Sequence, residues 1–279
     1  MPKIEDYKNN IQSAWCPGCP NFGILNSVKN ALLKLAIKPQ DVVITSGIGQ
    51  AAKLPHYLNC NVFNGLHGRA LPAATGIKAA NPELTVLINS GDGDIYGEGG
   101  NHLLHAFRRN PDITVMVHNN QVYALTKGQA SPTTELGIKT KLQFEGVTEE
   151  PLNPLALAII MNCSFVARGF AGDMEFLSDL IVAGVKHKGF ALIDIIQPCV
   201  TFGVHQVPWY KDRIYRLPGD YNPRDKEAAL KKVMEKSDKI ATGIFYVIDK
   251  PIFPEKEVNL TKKFAADKKV FAELEKSFR

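Results

Sequence analysis

Short apolar runs alternate along this chain with longer stretches in which apolar residues recur at helical spacing. Two of the runs, Leu84–Asn89 and Ile113–His118, are rich in Val, Ile and Thr and have the length of strands that are buried on both faces. Between them, residues 103–107 place their apolar side chains on one helical stripe, and Asn110-Pro111 ends that helix. The segment therefore predicts a strand, a crossover helix and a second strand parallel to the first.

The same alternation extends over most of the chain. Further strands are predicted at Asp41–Thr45, Ser164–Arg168, Phe190–Ile196 and Ala241–Ile248. Further helices are predicted at residues 24–35, Ala70–Ala80, Pro154–Asn162, Asp173–His187, Lys226–Ser237 and Lys262–Phe278. This order is typical of an α/β fold, a mostly parallel sheet with helices on both faces. We expect one domain over residues 1–207, beginning with a polar arm (1–12), and a C-terminal extension over residues 208–279 that packs on the core or on a partner subunit.

Residues with ligand-binding chemistry follow the predicted strands. These segments are Gly47–Gly49, Gly91–Asp94, Asn119–Val122 and Cys199. The carboxyl ends of parallel strands lie at one edge of a sheet, where open α/β sheets bind their ligands. We therefore expect all four segments to lie close together, and Cys16 and Cys19, at the start of a helix, can reach the same edge.

The second and third of these segments together suit a magnesium ion. Asp92 offers a carboxylate, Asn120 an amide oxygen and Val122 a main-chain carbonyl, which are the hard oxygen ligands that Mg²⁺ prefers. An octahedral ion would still need about three more oxygens, which a diphosphate and one water could supply. The glycines beside Asp92 let backbone N–H groups approach such an anion closely. The residues therefore predict a magnesium-bridged diphosphate ligand.

At this point a family can be recognised. Gly91-Asp92-Gly93, with Asn120 lying 28 positions after Asp92, resembles the thiamine-diphosphate signature. The wider string GDGDIYGEGGNHLLHAFRRNPDITVMVHNNQVYALTKGQASPT resembles the beta subunit of 2-oxoacid:ferredoxin oxidoreductases, and the resemblance runs from about Trp15 to about Thr201. It implies the thiamine-diphosphate-binding fold. It also implies cofactor contacts from Gly47, Ile48, Gly49, His67, Gly91, Asp92, Gly93, Asp94, Asn120, Val122, Tyr123 and Thr126.

The cysteines fit this resemblance with one departure. Members of the family hold one 4Fe–4S cluster, and many carry a cysteine directly after the SGIG turn, where this chain has Gln50. The expected ligands here are Cys16, Cys19, Cys60 and Cys199, with Cys60 as the replacement. The same four thiols could hold a structural zinc. The fifth cysteine, Cys163, is expected in the core.

The resemblance also implies the reaction and the partners. A 2-oxoacid, 2-oxoglutarate or pyruvate, would be decarboxylated oxidatively to an acyl-CoA and CO₂, with the electrons passed through the cluster to ferredoxin. We expect an alpha-type subunit to supply the glutamate that activates thiamine diphosphate, so that this chain is inactive alone and works in a hetero-oligomer, a dimer of heterodimers. Lys53 could meet a substrate carboxylate or could be a plain surface lysine.

The composition of the chain bears on its location in the cell and on its partners. The chain has 279 residues, a formal net charge of +5 and no apolar run of membrane-spanning length. Its N-terminus has no signal-peptide core, so we expect a cytoplasmic protein without membrane or nucleic-acid partners. Two alternatives explain only the cysteines: a thiol–disulfide oxidoreductase that uses Cys16 and Cys19, and a non-catalytic interaction subunit stabilised by zinc.

Overall fold

A large, mostly parallel sheet organises the chain. The computed structural model describes residues 1–253, so the predicted helix Lys262–Phe278 lies outside it. The strands are β1 (Val42–Ser46), β2 (Asn61–Asn64), β3 (Thr85–Gly91), β4 (Thr114–Asn119), β5 (Val122–Tyr123), β6 (Gln129–Ala130), β7 (Phe165–Phe170), β8 (Ala191–Ile196), β9 (Ile214–Arg216) and β10 (Ile240–Val247). The helices are α1 (Asn21–Lys34), α2 (Ala70–Ala80), α3 (Gly100–Arg109), α4 (Pro154–Ile160), α5 (Met174–Lys186), α6 (Val207–Lys211) and α7 (Lys226–Met234).

Eight of these strands form the sheet, in the order β2-β1-β3-β4-β8-β7-β10-β9. The neighbours from β2 to β7 pair in parallel, β10 pairs with β7 in the antiparallel sense, and β5 and β6 form a separate hairpin. The central strands are apolar at consecutive positions because helices cover both faces of the sheet; Val115, Met116 and Val117 of β4 are all fully buried. The predicted fold class is confirmed.

Two hydrophobic layers cover the two faces. On one face, α1 and α5 pack over the sheet, with Ile24, Val28 and Ile181 fully buried. On the other face lie α2, α3, α4 and α7, with Leu71 and Phe107 among their buried side chains. Because every crossover returns the chain to the same end of the sheet, the carboxyl ends of β1, β3, β4 and β8 lie at one edge.

The described part of the C-terminal extension joins the sheet. The strand β10 pairs with β7, and β9 pairs with β10 at the far edge. Strands of residues 208–253 therefore pack on the core, while the domain boundary at residue 207 stays a prediction. No helix in residues 1–253 is long and apolar enough to cross a bilayer.

Three local features differ from the prediction. The N-terminal arm is anchored to the core, because Tyr7 is fully buried and its hydroxyl donates to the Ile37 carbonyl. The strand β2 is not predicted by the pattern, since all four of its residues are exposed and give no apolar run. A π-helical segment, Gly93–Glu98, joins the end of β3 to α3, and the apolar periodicity does not distinguish it from an ordinary helical turn.

Candidate functional site

The carboxyl ends of β1, β3 and β4 open into one cleft. Among the residues that line it are Ile48, Gly49, His67, Gly91, Asp92, Gly93, Asp94, Asn120, Val122, Tyr123 and Thr126, all predicted from the sequence. Gly47, the remaining predicted residue, lies just behind this lining, and its carbonyl accepts a hydrogen bond from Asn64 Nδ2 at 2.6 Å. The fold thus brings the predicted segments together.

Asp94 connects two of these segments. Its side chain is 2% exposed. The carboxylate accepts hydrogen bonds from the backbone N–H groups of Ile48 (3.1 Å) and Gly68 (2.8 Å) and from the Ser90 hydroxyl (2.5 Å). His67 Nδ1 also lies 2.8 Å from it. Bonds to a charged acceptor are the strong ones, so Asp94 fixes the turn after β1 and the loop before α2 in one arrangement.

At two glycine positions of the site, the Cβ of any other residue would overlap a neighbouring side chain. A Cβ on Gly47 would lie 2.1 Å from a carboxylate oxygen of Asp94, and a Cβ on Gly93 would lie 2.3 Å from the Tyr123 ring. Both distances are far below van der Waals contact. Backbone that is kept bare in this way can approach a phosphate group closely.

Asp92 lies in the wall of the cleft and is held by two hydroxyl groups. Its Oδ2 accepts hydrogen bonds from Ser131 Oγ (2.5 Å) and Thr133 Oγ1 (2.8 Å), and its Oδ1 accepts a longer one from the backbone N–H of Asn120 (3.4 Å). Burial raises the pKa of Asp92 to about 6, and the two hydroxyl donors act in the opposite direction. With Oδ2 engaged by both hydroxyls, Oδ1, which contacts the Asn120 N–H, is the oxygen left for the predicted magnesium ion.

Asn120 and Val122 complete this donor set. Asn120 Oδ1 accepts a hydrogen bond from the Val122 N–H at 3.0 Å, and Asn120 Nδ2 donates to Gln197 Oε1 at 3.3 Å, so the amide is fixed at both ends. Between them, Gln121 adopts a left-handed backbone conformation, with φ of 61°. One carboxylate, one amide oxygen and one main-chain carbonyl beside a bare glycine turn fit a magnesium ion and a diphosphate.

Two hydroxyl residues of the site, Ser131 and Thr133, are not predicted from the sequence; they follow Asp92 by 39 and 41 positions. Both lie at the end of a polar stretch, residues 126–133, that follows Val122 and Tyr123 in the chain. In the fold, the hairpin of β5 and β6 turns this loop back onto the cleft, so that its hydroxyls reach Asp92. The Ser-Pro-Thr tripeptide is the available signal, but nothing in its spacing points to Asp92.

A buried histidine links the cleft to the start of α1. His118, at the end of β4, lies with Nδ1 2.8 Å from Asn21 and Nε2 3.0 Å from Asn89. Burial lowers its pKa to about 3, so the ring is neutral and carries one N–H donor. The ring therefore donates its one N–H to one of the two amide oxygens that face it, those of Asn21 and Asn89. This contact fixes α1, which begins two residues after Cys19, against the sheet edge.

Three of the predicted cluster ligands surround a second, smaller cavity of about 50 Å³. Cys16 and Cys19 reach it from the start of α1, and Cys199 from the loop after β8. The Thr201 hydroxyl contacts Cys16 Sγ at 3.4 Å, and Gln197 Nε2 contacts Cys19 Sγ at 3.8 Å, which ties the two elements together. Burial raises the pKa of Cys19 to about 11, and the nearby thiols of Cys199 and Cys16 act in the same direction.

Cys60 does not line this cavity. It is half-buried at the start of β2, and it packs against the hydrophobic layer that contains Tyr7. Cys163 is fully buried in the opposite layer, as expected. Within residues 1–253, no three Cys, His, Asp or Glu side chains are grouped tightly enough to hold one metal ion.

Lys53 lies in a 3₁₀ segment, Ala51–Tyr57, that follows the turn after β1. It is half-buried and is not among the described residues that line the cleft. Its contact with a substrate carboxylate stays a prediction.

Comparison with known proteins supports the identification of the site. Residues 44–195 match the family described as "Thiamine pyrophosphate enzyme, C-terminal TPP binding domain". Residues 199–262 match a second family, the C-terminal region of the pyruvate ferredoxin oxidoreductase beta chains. The first match includes the residues that line the cleft.

Individual proteins are similar over most of their length. The chain is 44% identical, over 88% of its length and 80% of the relative's, to the beta subunit of 2-oxoacid:ferredoxin oxidoreductase 1 of Aeropyrum pernix. It is 47% identical, over 83% and 81%, to the 2-oxoacid:ferredoxin oxidoreductase beta subunit of Saccharolobus solfataricus. A solved structure of the 2-oxoglutarate:ferredoxin oxidoreductase of Magnetococcus marinus, with 2-oxoglutarate, coenzyme A and succinyl-CoA bound, superposes with a TM-score of 0.90 at 34% identity, covering 98% of this chain and 96% of the other.

These matches favour an enzyme subunit over the two alternatives that explain only the cysteines. The chain belongs to the beta subunits of the 2-oxoacid:ferredoxin oxidoreductases, the thiamine-diphosphate-binding subunits of these enzymes.

Proposed function

We propose that this subunit takes part in the oxidative decarboxylation of 2-oxoglutarate to an acyl-CoA, with electrons passed through one 4Fe–4S cluster to ferredoxin. One observation carries the proposal. The cleft at the ends of β1, β3 and β4 adjoins the cavity of three cysteines, and Gln50, Asn120 and Ala124 line both. A diphosphate site and a thiol site that share a wall are suited to an enzyme that joins cofactor chemistry to electron transfer.

The residues of the cleft have distinct tasks in this proposal. Asp92 Oδ1, Asn120 Oδ1 and the Val122 carbonyl would hold Mg²⁺, which would supply positive charge for the diphosphate. The backbone of Gly47–Gly49 and the His67 side chain would bind the diphosphate. When bound, thiamine diphosphate supplies the electron sink that loss of CO₂ from a 2-oxoacid requires. The chain supplies orientation through Asp94, which keeps both anion-binding segments in place.

The thiol site has the complementary task. Cys16, Cys19 and Cys199 would hold the cluster, which supplies one-electron chemistry when bound. The three thiols line one common cavity, which supports their assignment to a single site.

The rest of the catalytic machinery belongs to a partner. The family match covers a C-terminal thiamine-binding domain, over residues 44–195. An alpha-type subunit would supply the activating glutamate and much of the substrate pocket, in a dimer of heterodimers. The preference for 2-oxoglutarate over pyruvate is supported by the bound 2-oxoglutarate and succinyl-CoA of the Magnetococcus marinus structure.

The test is reconstitution. The chain would be produced with and without its cognate alpha-type subunit under anaerobic conditions, and reduction of ferredoxin would be followed with 2-oxoglutarate or pyruvate and coenzyme A. We expect activity that depends on 2-oxoglutarate, coenzyme A and both subunits. Turnover by the single chain, or a higher kcat/KM for pyruvate, would contradict the corresponding part of the proposal.

A pair of variants separates the metal site from general effects of charge. In the complex, Asp92→Asn should lose Mg²⁺-dependent binding of thiamine diphosphate, because a neutral amide replaces the only carboxylate in the donor set. Glu149→Gln removes one negative charge from an exposed position and should leave binding unchanged. Equal affinities for the two variants would refute the assignment of Asp92.

A further inference from the structure

The position of Cys60 in the sheet separates it from the other three thiols. It directly precedes β2, whose first residue, Asn61, pairs with Val43 of β1, whereas the last pair joins Asn64 to Ser46. These strands are parallel, so Cys60 lies at their amino ends and the cysteine cavity lies at the carboxyl edge. From the level of Cys60 to the level of Ser46 is four residues, about 13 Å of strand. Local rearrangement of a side chain does not span that distance.

Gln50, rather than Cys60, lies beside the other three thiols. It follows the turn after β1 at the carboxyl edge and lines the same cavity as Cys16, Cys19 and Cys199. Its backbone carbonyl accepts a hydrogen bond from the indole N–H of Trp15 at 2.8 Å. Trp15 immediately precedes Cys16, so this bond fixes Gln50 beside the first thiol.

The side-chain oxygen of Gln50 has no hydrogen-bond donor within residues 1–253. Its Oε1 is buried and accepts no hydrogen bond from any described residue. An unpaired buried polar atom destabilises the folded state, and native structures rarely keep one without a reason. An electrophilic ligand in the cavity would supply the missing partner.

We propose that three thiolates, those of Cys16, Cys19 and Cys199, bind three irons of the cluster and that Gln50 Oε1 binds the fourth. The inference rests on the proposed function, since it refines the ligand set of the cluster invoked there. It replaces the expectation that Cys60 is the fourth ligand. A neutral amide oxygen is a harder and weaker donor to iron than a thiolate, so the fourth iron is the labile one.

A labile fourth iron should be released when the cluster is oxidised. One-electron oxidation of [4Fe–4S]²⁺ by ferricyanide gives [3Fe–4S]⁺ and Fe²⁺. The bonds of the fourth iron to Gln50 Oε1 and to the cluster sulfides break. The electron that leaves the cluster reduces ferricyanide to ferrocyanide. Four thiolate ligands would oppose this release by holding every iron with a soft anionic donor.

The experiment measures iron and electron paramagnetic resonance on the reconstituted full chain, without an activity assay. On addition of about one equivalent of ferricyanide, we expect iron to fall from about four to about three per chain and the S = 1/2 signal of [3Fe–4S]⁺ to appear. Cys60→Ser should behave as the wild type. Gln50→Cys should keep about four irons and give no such signal.

The outcomes separate the inference from the proposed function. A wild-type cluster that resists ferricyanide, or one that is lost in Cys60→Ser, would overturn the role of Gln50 and leave the cluster itself in place. Failure of the wild-type chain to take up iron and sulfide would overturn both. Cys199→Ser serves as the reference for loss of a true thiolate ligand and should take up much less iron than Cys60→Ser.

Discussion

Replacement of Asp94 by asparagine is the most informative single test of how the cleft is built. The substitution keeps the shape of the side chain and removes its charge. Three hydrogen bonds from Ile48, Gly68 and Ser90 then change from charge-assisted bonds, worth about 1.5–3 kcal/mol each, to neutral ones worth about 1 kcal/mol. Losing about 1 kcal/mol per bond predicts a decrease of about 3 kcal/mol in the free energy of unfolding.

The effect on cofactor affinity decides between two opposite expectations. If Asp94 acted only as a negative charge near an anion, Asp94→Asn would tighten the binding of thiamine diphosphate. Because Asp94 holds the turn after β1 and the loop that carries His67, we expect weaker binding instead. If about half of the 3 kcal/mol appears in binding, the dissociation constant rises about tenfold.

Two measurements and one control complete the test. Denaturant unfolding of the full chain gives the stability change, and calorimetric titration of the alpha–beta complex with thiamine diphosphate at saturating Mg²⁺ gives the affinity. Glu98→Gln is the matched control, because it removes the same charge from the same π-helical segment at an exposed position. Unchanged or tighter binding in Asp94→Asn, or an equal loss in Glu98→Gln, would refute the reasoning.

Three further predictions concern the surroundings of the site. Gly47→Ala should weaken binding of thiamine diphosphate by at least about tenfold, because the new Cβ would meet the Asp94 carboxylate at 2.1 Å; calorimetry of the complex measures it. Thr133→Val should weaken Mg²⁺ binding by about tenfold or more, since Asp92 loses a hydroxyl that orients it, as a metal titration would show. His118 takes up a proton near pH 6.5 in the unfolded state but only near pH 3 in the folded state. The free energy of unfolding is therefore highest above about pH 6.5 and is lower by about 2 kcal/mol at pH 5. In His118→Gln, this part of the difference between unfolding curves at pH 8 and pH 5 should vanish.

Each of these predictions has a control in the same fold. Gly76→Ala adds a methyl group to α2 where no atom lies within 4 Å, and it should not affect the cofactor. Thr75→Val removes a hydroxyl that bonds only within its own helix and should leave Mg²⁺ affinity unchanged. His56→Gln changes an exposed histidine and should keep the dependence of stability on pH. A control that matched its test variant would contradict the corresponding prediction.

The regular elements were predictable because periodicity is a local property. The predicted bounds of Ala70–Ala80 are those observed for α2, and β4 and β8 begin and end within one residue of the predicted runs. The end of α3 at Asn110 was also predictable, since a proline follows and asparagine tolerates the left-handed conformation that it adopts there, with φ of 57°. The strand β2 was missed, because an edge strand whose residues are all exposed has no apolar pattern.

The candidate site also has a part that was predictable from the sequence and a part that was not. The sequence placed Asp92, Asn120 and Val122 together, because both segments directly follow strands that a crossover helix makes parallel. It could not show that Asp94 would turn inward to bind the backbone of Ile48 and Gly68, since these contacts join residues 46 and 26 positions apart.

By itself, the sequence determined the fold class, the edge of the sheet at which the candidate binding segments lie and the family, all of which depend on local patterns and on motifs at fixed spacing. The tertiary structure decided which side chains meet. Strand register placed Cys60 at the amino end of β2 and Gln50 at the carboxyl edge beside the thiols, although only ten positions separate them in the chain. In a parallel sheet the two ends of a strand face different environments, and spacing along the chain does not say which end a residue reaches.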